Sequence, residues 1–185
     1  MEPRRLTYVR NLPWYAQVEQ VPTSWKWFGA SIVAPLWFGA FYVHYDANRF
    51  ALGSSLHYAS VVVAAQGGMH WGMEAIGFGL PTHTSEFTPL YRFVRSGLPV
   101  VPLIVGIMAS RLSIENPRAA SVLLLCVLAG STGMNFFAYA FATCPVWFTR
   151  FQWQLSAGLG MGILMLMLSD QMKLRGELEL VDSNS

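Results

Sequence analysis

The chain has 185 residues, of which 54% are hydrophobic and only 12% are charged. Average soluble proteins carry about a quarter charged residues, and a soluble domain of this length could not hide so much apolar surface. The net charge of +2 is too small to indicate a nucleic-acid partner. These totals favour a protein that is embedded in a membrane.

Five apolar segments approach the length that crosses the hydrocarbon layer of a bilayer. They cover residues 27–45, 55–80, 91–109, 119–141 and 147–169. The connecting segments are short and polar, so consecutive spans run antiparallel. These connections cover residues 46–53, 81–89, 110–118 and 142–145. Because lipid offers no hydrogen bonds to the backbone, we predict an all-α fold, a polytopic membrane protein with a bundle of about five transmembrane helices.

The pattern divides the chain into three parts. Residues 1–26 form an N-terminal polar extension, residues 27–169 the transmembrane domain, and residues 170–185 a charged tail that is expected to continue as a helix into water. The side of the membrane that holds the N-terminus carries seven Lys and Arg residues, and the opposite side carries five. This excess favours an N-terminus in the cytoplasm, or in the matrix if the membrane is mitochondrial.

The second span carries the most informative pattern. Gln66, His70 and Glu74 recur every four residues and therefore stack on one helix face. Gly68 and Gly72 lie about 200° around the helix, where small residues let another helix approach closely. Polar groups within a membrane face protein or water. We therefore expect this helix at the centre of the bundle, with a polar contact on one side and a close helix contact on the other.

Glu74 is the most costly residue of the spans, because an unpaired carboxylate at the bilayer centre costs at least about 2.5 kcal/mol. Arg95 lies one turn into the third span, at the same side of the membrane. We predict a Glu74–Arg95 ion pair, or a protonated Glu74 that is hydrogen-bonded to His70. Arg95→Leu should lower the melting temperature unless Glu74→Gln accompanies it. Strictly additive losses in the double variant would contradict the pairing.

A second polar stripe follows the fourth span, where Ser131, Asn135 and Tyr139 recur every four residues. We expect interhelical hydrogen bonds from these side chains, each worth about 0.6–2 kcal/mol. The fifth span contributes Gln154 to the polar interior. These stripes are interpreted first as contacts that hold the helices together.

The fifth span also contains Gly158 and Gly162, which are spaced for a close helix contact. The alternative interpretation of the polar stripes is a path for protons or a solute past His70 and Glu74. A continuous relay would need further carboxylates at other depths, and Glu74 is the only one within a predicted span.

Four histidines, His44, His57, His70 and His83, are spaced thirteen residues apart. Histidines on facing helices can ligate haem, but only His44 and His57 lie at one membrane side on neighbouring spans. No catalytic or nucleotide-binding motif and no convincing metal-ligand set stands out in the sequence. We therefore predict no enzymatic activity, no metal, and no cofactor other than bound phospholipid or cardiolipin.

Four short motifs resemble one family. The first is Gly67-Gly68-Met69-His70-Trp71-Gly72, and the others are the Pro35 region of the first span, Ser96-Gly-Leu-Pro99, and Pro145-Val-Trp-Phe-Thr-Arg150. Together they resemble the transmembrane-protein-69-like family, a membrane domain of unknown function in proteobacteria and mitochondria. Glu74 departs from the family pattern, which has a small or apolar residue at that position.

The resemblance implies a five-span protein without an assigned activity, mitochondrial in a eukaryote. Small membrane proteins of this kind can serve as accessory subunits of inner-membrane complexes. We therefore expect an accessory structural subunit of a respiratory-chain complex or ATP synthase, which contributes helix packing, lipid binding and anchoring. Its expected partners are other membrane subunits and membrane lipids. The alternatives are a small transporter or ion-translocating protein working around His70 and Glu74, and an assembly factor.

Overall fold

A computed structural model describes residues 21–46, 48–75, 97, 99–140 and 145–183, with the side chains of 73–75, 137–140 and 171–183 outside the description. Across these ranges the chain is helical, with five long helices and no strand. The helices are α1 (Thr23–Asp46), α2 (Arg49–Ala75), α3 (Val100–Glu115), α4 (Pro117–Ala140) and α5 (Val146–Ser183). The all-α class predicted from the sequence is therefore confirmed.

Two helices start earlier than the apolar pattern predicts, because asparagines cap them. The Asn48 side-chain oxygen accepts a hydrogen bond from the Phe50 amide at 2.9 Å, and α2 begins at Arg49. The Asn116 side chain accepts one from the Ala119 amide at 3.1 Å, and Pro117 occupies the first helical position of α4. The loops predicted over 46–53 and 110–118 are therefore wrong in extent, since the helices run through most of both.

The fifth helix extends well past its apolar part. It has 38 residues and therefore a length of about 57 Å at 1.5 Å per residue. The hydrocarbon layer of a bilayer is only about 30 Å thick. The last part of α5 carries the charged residues of the C-terminal segment, so the helix continues through the region that the sequence separates as a tail.

Helix α2 occupies the middle of the bundle. It packs against each of the other four helices, most extensively against α3. Its buried face includes Leu56, Ala59 and Val63, which are fully enclosed. This central position agrees with the expectation drawn from the second span. The polar residues that α2 carries can therefore meet side chains from several helices at once.

The described helices expose many large apolar side chains, and they bury a set of polar ones beside their apolar core. Large apolar side chains are exposed on all five helices, for example Phe38 (75%), Phe50 (82%) and Ile114 (76%). Polar side chains are buried between the helices. The buried polar residues are Ser60, Gln66, Ser113, Ser121, Ser131, Asn135, Gln152, Ser156 and Ser169. The outer surface thus carries many large apolar side chains, which water does not favour.

Two helical segments are long and apolar enough to cross a membrane, judged by length and composition over the described part of the chain. They are Pro117–Phe136 in α4, with 20 residues, and Val146–Asp170 in α5, with 25 residues. A transmembrane helix needs about 20 predominantly apolar residues. Membrane association is therefore supported by the helices themselves, in addition to the composition.

The two ends of the bundle differ in chemistry. One end has an aromatic cluster of Trp25, Phe28, Trp147, Phe148 and Phe151, in which the Trp25 and Phe151 ring centres lie 5.1 Å apart. The opposite end has the ion pair between Arg118 and Asp170, with an N–O distance of 3.1 Å. Because both groups are partly exposed, this ion pair contributes little to stability.

Candidate functional site

A small polar cavity lies between four helices, and it is the candidate site of this chain. Its walls come from α2, from the start of α3, from α4 and from α5. The residues that line it are Gln66, Gly67, His70, Pro99, Pro102, Ser131, Met134, Asn135 and Gln152. The cavity volume available to the centre of a water molecule is about 10 Å³. This is room for roughly one water molecule.

The amides of the cavity are almost completely enclosed. Gln66 and Asn135 are each 3% exposed, and Gln152 is 2% exposed. The Gln152 Nε2 atom donates to the Met69 sulfur at 3.1 Å, which joins α5 to α2. Both side-chain polar atoms of Gln66 and the Oδ1 atom of Asn135 have no hydrogen-bond partner among the described residues. The cavity therefore combines high burial with unused hydrogen-bonding capacity.

His70 lies one turn from Gln66 and also faces the cavity. Its ring meets the ring of Phe148 edge-on, with the ring centres 5.6 Å apart. Of the predicted polar face, Gln66 and His70 are therefore placed together. The Glu74 side chain and all of Arg95 lie outside the described residues, so their pairing stays a prediction.

The fourth helix places two of its three predicted residues at the cavity. Ser131 and Asn135 both line it, whereas the Tyr139 side chain lies outside the described part. Ser131 Oγ donates to the Val127 carbonyl of its own helix at 2.7 Å. This is a local bond, and the interhelical bond expected from Ser131 is not formed, because the i−4 carbonyl is always within reach of a helical serine.

The close contact between α2 and α3 is made at Gly67 and Gly106, and not at the predicted Gly68 and Gly72. Gly68 and Gly72 are exposed, and a Cβ added at either would meet nothing within 4 Å, so the close contact expected there is not made by the described residues. The neighbouring Gly67 instead faces the Pro99 carbonyl and Pro102. A Cβ at Gly106 would lie 2.7 Å from the Ser60 carbonyl oxygen. Here α2 and α3 touch almost backbone to backbone.

The glycines of α5 lie against α1. A Cβ at Gly158 would lie 3.1 Å from a Val33 methyl carbon, and one at Gly162 would lie 2.9 Å from a Leu36 methyl carbon. The Trp37 indole donates to the Gly158 carbonyl at 3.0 Å and so adds a hydrogen bond across the same contact. Small residues thus allow α1 and α5 to pack closely next to the cavity-bearing helices.

Two histidines near the polar end are each paired with a serine. His44 Nδ1 lies 3.3 Å from Ser169 Oγ, and His57 Nδ1 lies 2.8 Å from Ser110 Oγ. These pairs join α1 to α5 and α2 to α3, so the two histidines are used in different helix contacts. In the described ranges there is no group of three or more His, Cys, Asp and Glu side chains that could hold a metal ion.

Gln152 is a cavity residue that the sequence analysis missed. The polar residue expected from the fifth span was Gln154, which is exposed. Phe148, Gln152, Leu155 and Leu159 follow the spacing of three and four residues that defines one helix face, and all four are buried. The apolar residues Phe148, Leu155 and Leu159 share a helix face with Gln152, and this pattern is the sequence signal that identifies Gln152 as an inward-facing residue.

The chain matches no family model, no curated protein and no solved structure. The resemblance to the transmembrane-protein-69-like family therefore depends on its short motifs and stays a prediction. Function has to be inferred from the side-chain distribution and the cavity.

Proposed function

We propose that this chain is a multi-pass membrane protein with five transmembrane helices, and that it serves as an accessory structural subunit of a large complex in the mitochondrial inner membrane. The observation that carries the proposal is the exposure of large apolar side chains on every helix together with the burial of polar ones. Membrane helices show this arrangement, because lipid solvates the apolar surface while polar groups need partners inside the protein.

Five spans are proposed although two segments stand out by hydropathy. The first helix owes part of its apolar character to Trp27, Trp37 and Tyr42, which count as only weakly apolar but favour the membrane interface. Helix α3 is described over 16 residues, fewer than a complete span needs. Both helices nevertheless expose large apolar side chains, as α4 and α5 do. A common environment for all five accounts for this similarity.

A structural role is supported by the use of the interior polar groups. The Tyr58 hydroxyl donates to the Ile32 carbonyl at 2.8 Å, next to the turn that Pro35 deprives of a backbone donor. Trp37, Gln152 and the two histidine–serine pairs likewise connect different helices. Several polar side chains of the described bundle thus connect its helices, as expected of a packing subunit.

A partner subunit is supported by the small residues on the outer surface. Gly68 and Gly72 of α2 and Gly130 of α4 have open space where a side chain would stand. Small residues on the surface of membrane helices allow a further helix to approach closely. The mitochondrial location and the choice of a respiratory-chain complex or ATP synthase as host rest on the family resemblance, and bound phospholipid or cardiolipin fits an apolar outer surface.

The alternative of a small transporter or ion-translocating protein rests on the polar cavity beside His70. That cavity has room for about one water molecule, so a larger solute would require the helices to separate. The close contacts at Gly67 and Gly106 oppose such a separation of α2 and α3. The subunit role is therefore the better supported of the two.

Native gel electrophoresis of membranes dissolved in a mild detergent tests the proposal. We expect the protein to migrate with a complex far above its own mass of 20.6 kDa. Gly68→Leu should release it from that complex, because the larger side chain occupies the space of a close helix contact without striking the described part of the fold. Ala157→Leu, at another exposed helix position, is the matched control. Migration of the unmodified protein as a free monomer would overturn the proposal.

A further inference from the structure

We infer that the polar cavity is a binding site for a single water molecule, which connects the side-chain amide of Gln66 on α2 to that of Asn135 on α4. This inference concerns the interior of the bundle, and it holds whether or not the chain is a subunit of a larger complex.

The need for such a ligand comes from the two buried amides. Gln66 is 3% exposed, and within the described residues neither its Nε2 nor its Oε1 atom has a hydrogen-bond partner. The Oδ1 atom of Asn135, also 3% exposed, is in the same condition. A buried polar group without a partner costs about 1–3 kcal/mol by protein mutational data. Because a polar ligand would remove this cost at three atoms of one cavity, its binding there is favoured.

The polar side chains beside Gln66 and Asn135 in the cavity do not form hydrogen bonds to these three atoms. The Ser131 hydroxyl donates its only proton to the Val127 carbonyl. Gln152 directs its Nε2 to the sulfur of Met69. Gln66 and Asn135 line the same cavity but do not bond to each other. A molecule that both donates and accepts hydrogen bonds is required between them.

The size and chemistry of the cavity select water. The cavity volume of about 10 Å³, measured for the centre of a water molecule, corresponds to roughly one water molecule. A buried water molecule needs two to four polar partners. Gln66 alone offers a donor and an acceptor, and Asn135 offers a further acceptor. The lining residues in the described part include no carboxylate that would favour a metal cation.

X-ray hydroxyl-radical footprinting of the purified full-length protein in mild detergent tests this inference. Irradiation splits water, and the resulting radicals oxidise side chains next to an ordered water molecule. Met134 lines the cavity and also an outer groove between α3 and α4, and it is half-buried. The change in its oxidation between variants is therefore the reporter, while the exposed Met161 on the outer surface of α5 reports any general oxidation. Mass spectrometry of the digested protein measures methionine sulfoxide at each position.

We expect Met134 to be oxidised in the unmodified protein, and this oxidation to fall in Asn135→Leu and in Gln66→Leu. Ser156→Ala is the matched control, because Ser156 is buried and unpartnered within the described chain but does not line the cavity, and it should leave the Met134 signal unchanged. If the leucine variants fail to fold, a second experiment uses the unmodified protein, which is transferred into ¹⁸O water shortly before irradiation. A bound water should then label Met134 with ¹⁸O more slowly than bulk water labels Met161. Absence of Met134 oxidation in the unmodified protein, an unchanged level of it in folded leucine variants, or equal labelling rates at the two methionines would overturn the inference.

Discussion

Gly106→Ala is expected to destabilise the protein by about 1–3 kcal/mol, because one added methyl group has no space between α2 and α3. A Cβ at position 106 would lie 2.7 Å from the carbonyl oxygen of Ser60 and 2.9 Å from the Cβ of Ala64. Two of the three nearest atoms belong to the backbone of α2, so the clash is relieved only if a whole helix shifts. The melting temperature of the detergent-solubilised protein, followed by tryptophan fluorescence, measures the effect.

Gly130→Ala is the matched control for this prediction. Gly130 lies in the interior of α4, and a Cβ there would meet nothing within 4 Å. Since alanine loses less backbone entropy than glycine on forming a helix, this substitution should be neutral or stabilise the protein by up to about 1 kcal/mol. The two identical chemical changes should thus have opposite signs. Equal effects would show that α2 and α3 are not in near-backbone contact at Gly106.

The general architecture can be predicted from the sequence because it depends on composition and periodicity. The presence of five long helices, the all-α class and the central position of α2 follow from apolar runs and from the polar face that includes Gln66 and His70. The ends of the helices are harder to predict from the sequence. The cap at Asn48 extends α2 into a segment whose polarity favours a loop, since polar residues lie equally well in a loop and in an exposed turn of helix.

The contacts within the site depend on how two helices cross, which periodicity does not determine. Gly67 and Gly68 are adjacent and equally small, yet only Gly67 faces α3, where Pro99 and Pro102 begin the helix. Consecutive residues of a helix point in directions that differ by about 100°, so only one of two adjacent glycines can face α3. The same rotation per residue explains why Gln152 lines the cavity whereas Gln154, two residues later, is exposed.

Phe151→Ala is expected to cause the largest loss of stability among single truncations at the aromatic end, about 3–5 kcal/mol. Phe151 is 2% exposed, its ring lies 5.1 Å from that of Trp25 at an angle of 76°, and its Cε2 atom reaches the position that a side chain on Gly29 would occupy. Truncation therefore removes a ring from the contact between α1 and α5 and leaves a cavity that a helix glycine cannot fill.

Phe38→Ala distinguishes this packing contribution from the general effect of losing a phenylalanine. Phe38 lies on α1, but it is 75% exposed and points away from the bundle, so its truncation should change the free energy of unfolding by less than about 0.5 kcal/mol. Unfolding of both variants in the same detergent, compared with the unmodified protein, gives the two values. A Phe38 loss as large as that of Phe151 would mean that this outward face is packed against protein, for example in a second copy of the chain. A small loss at Phe38 beside a large one at Phe151 is the result that an apolar outer surface solvated by lipid or detergent requires.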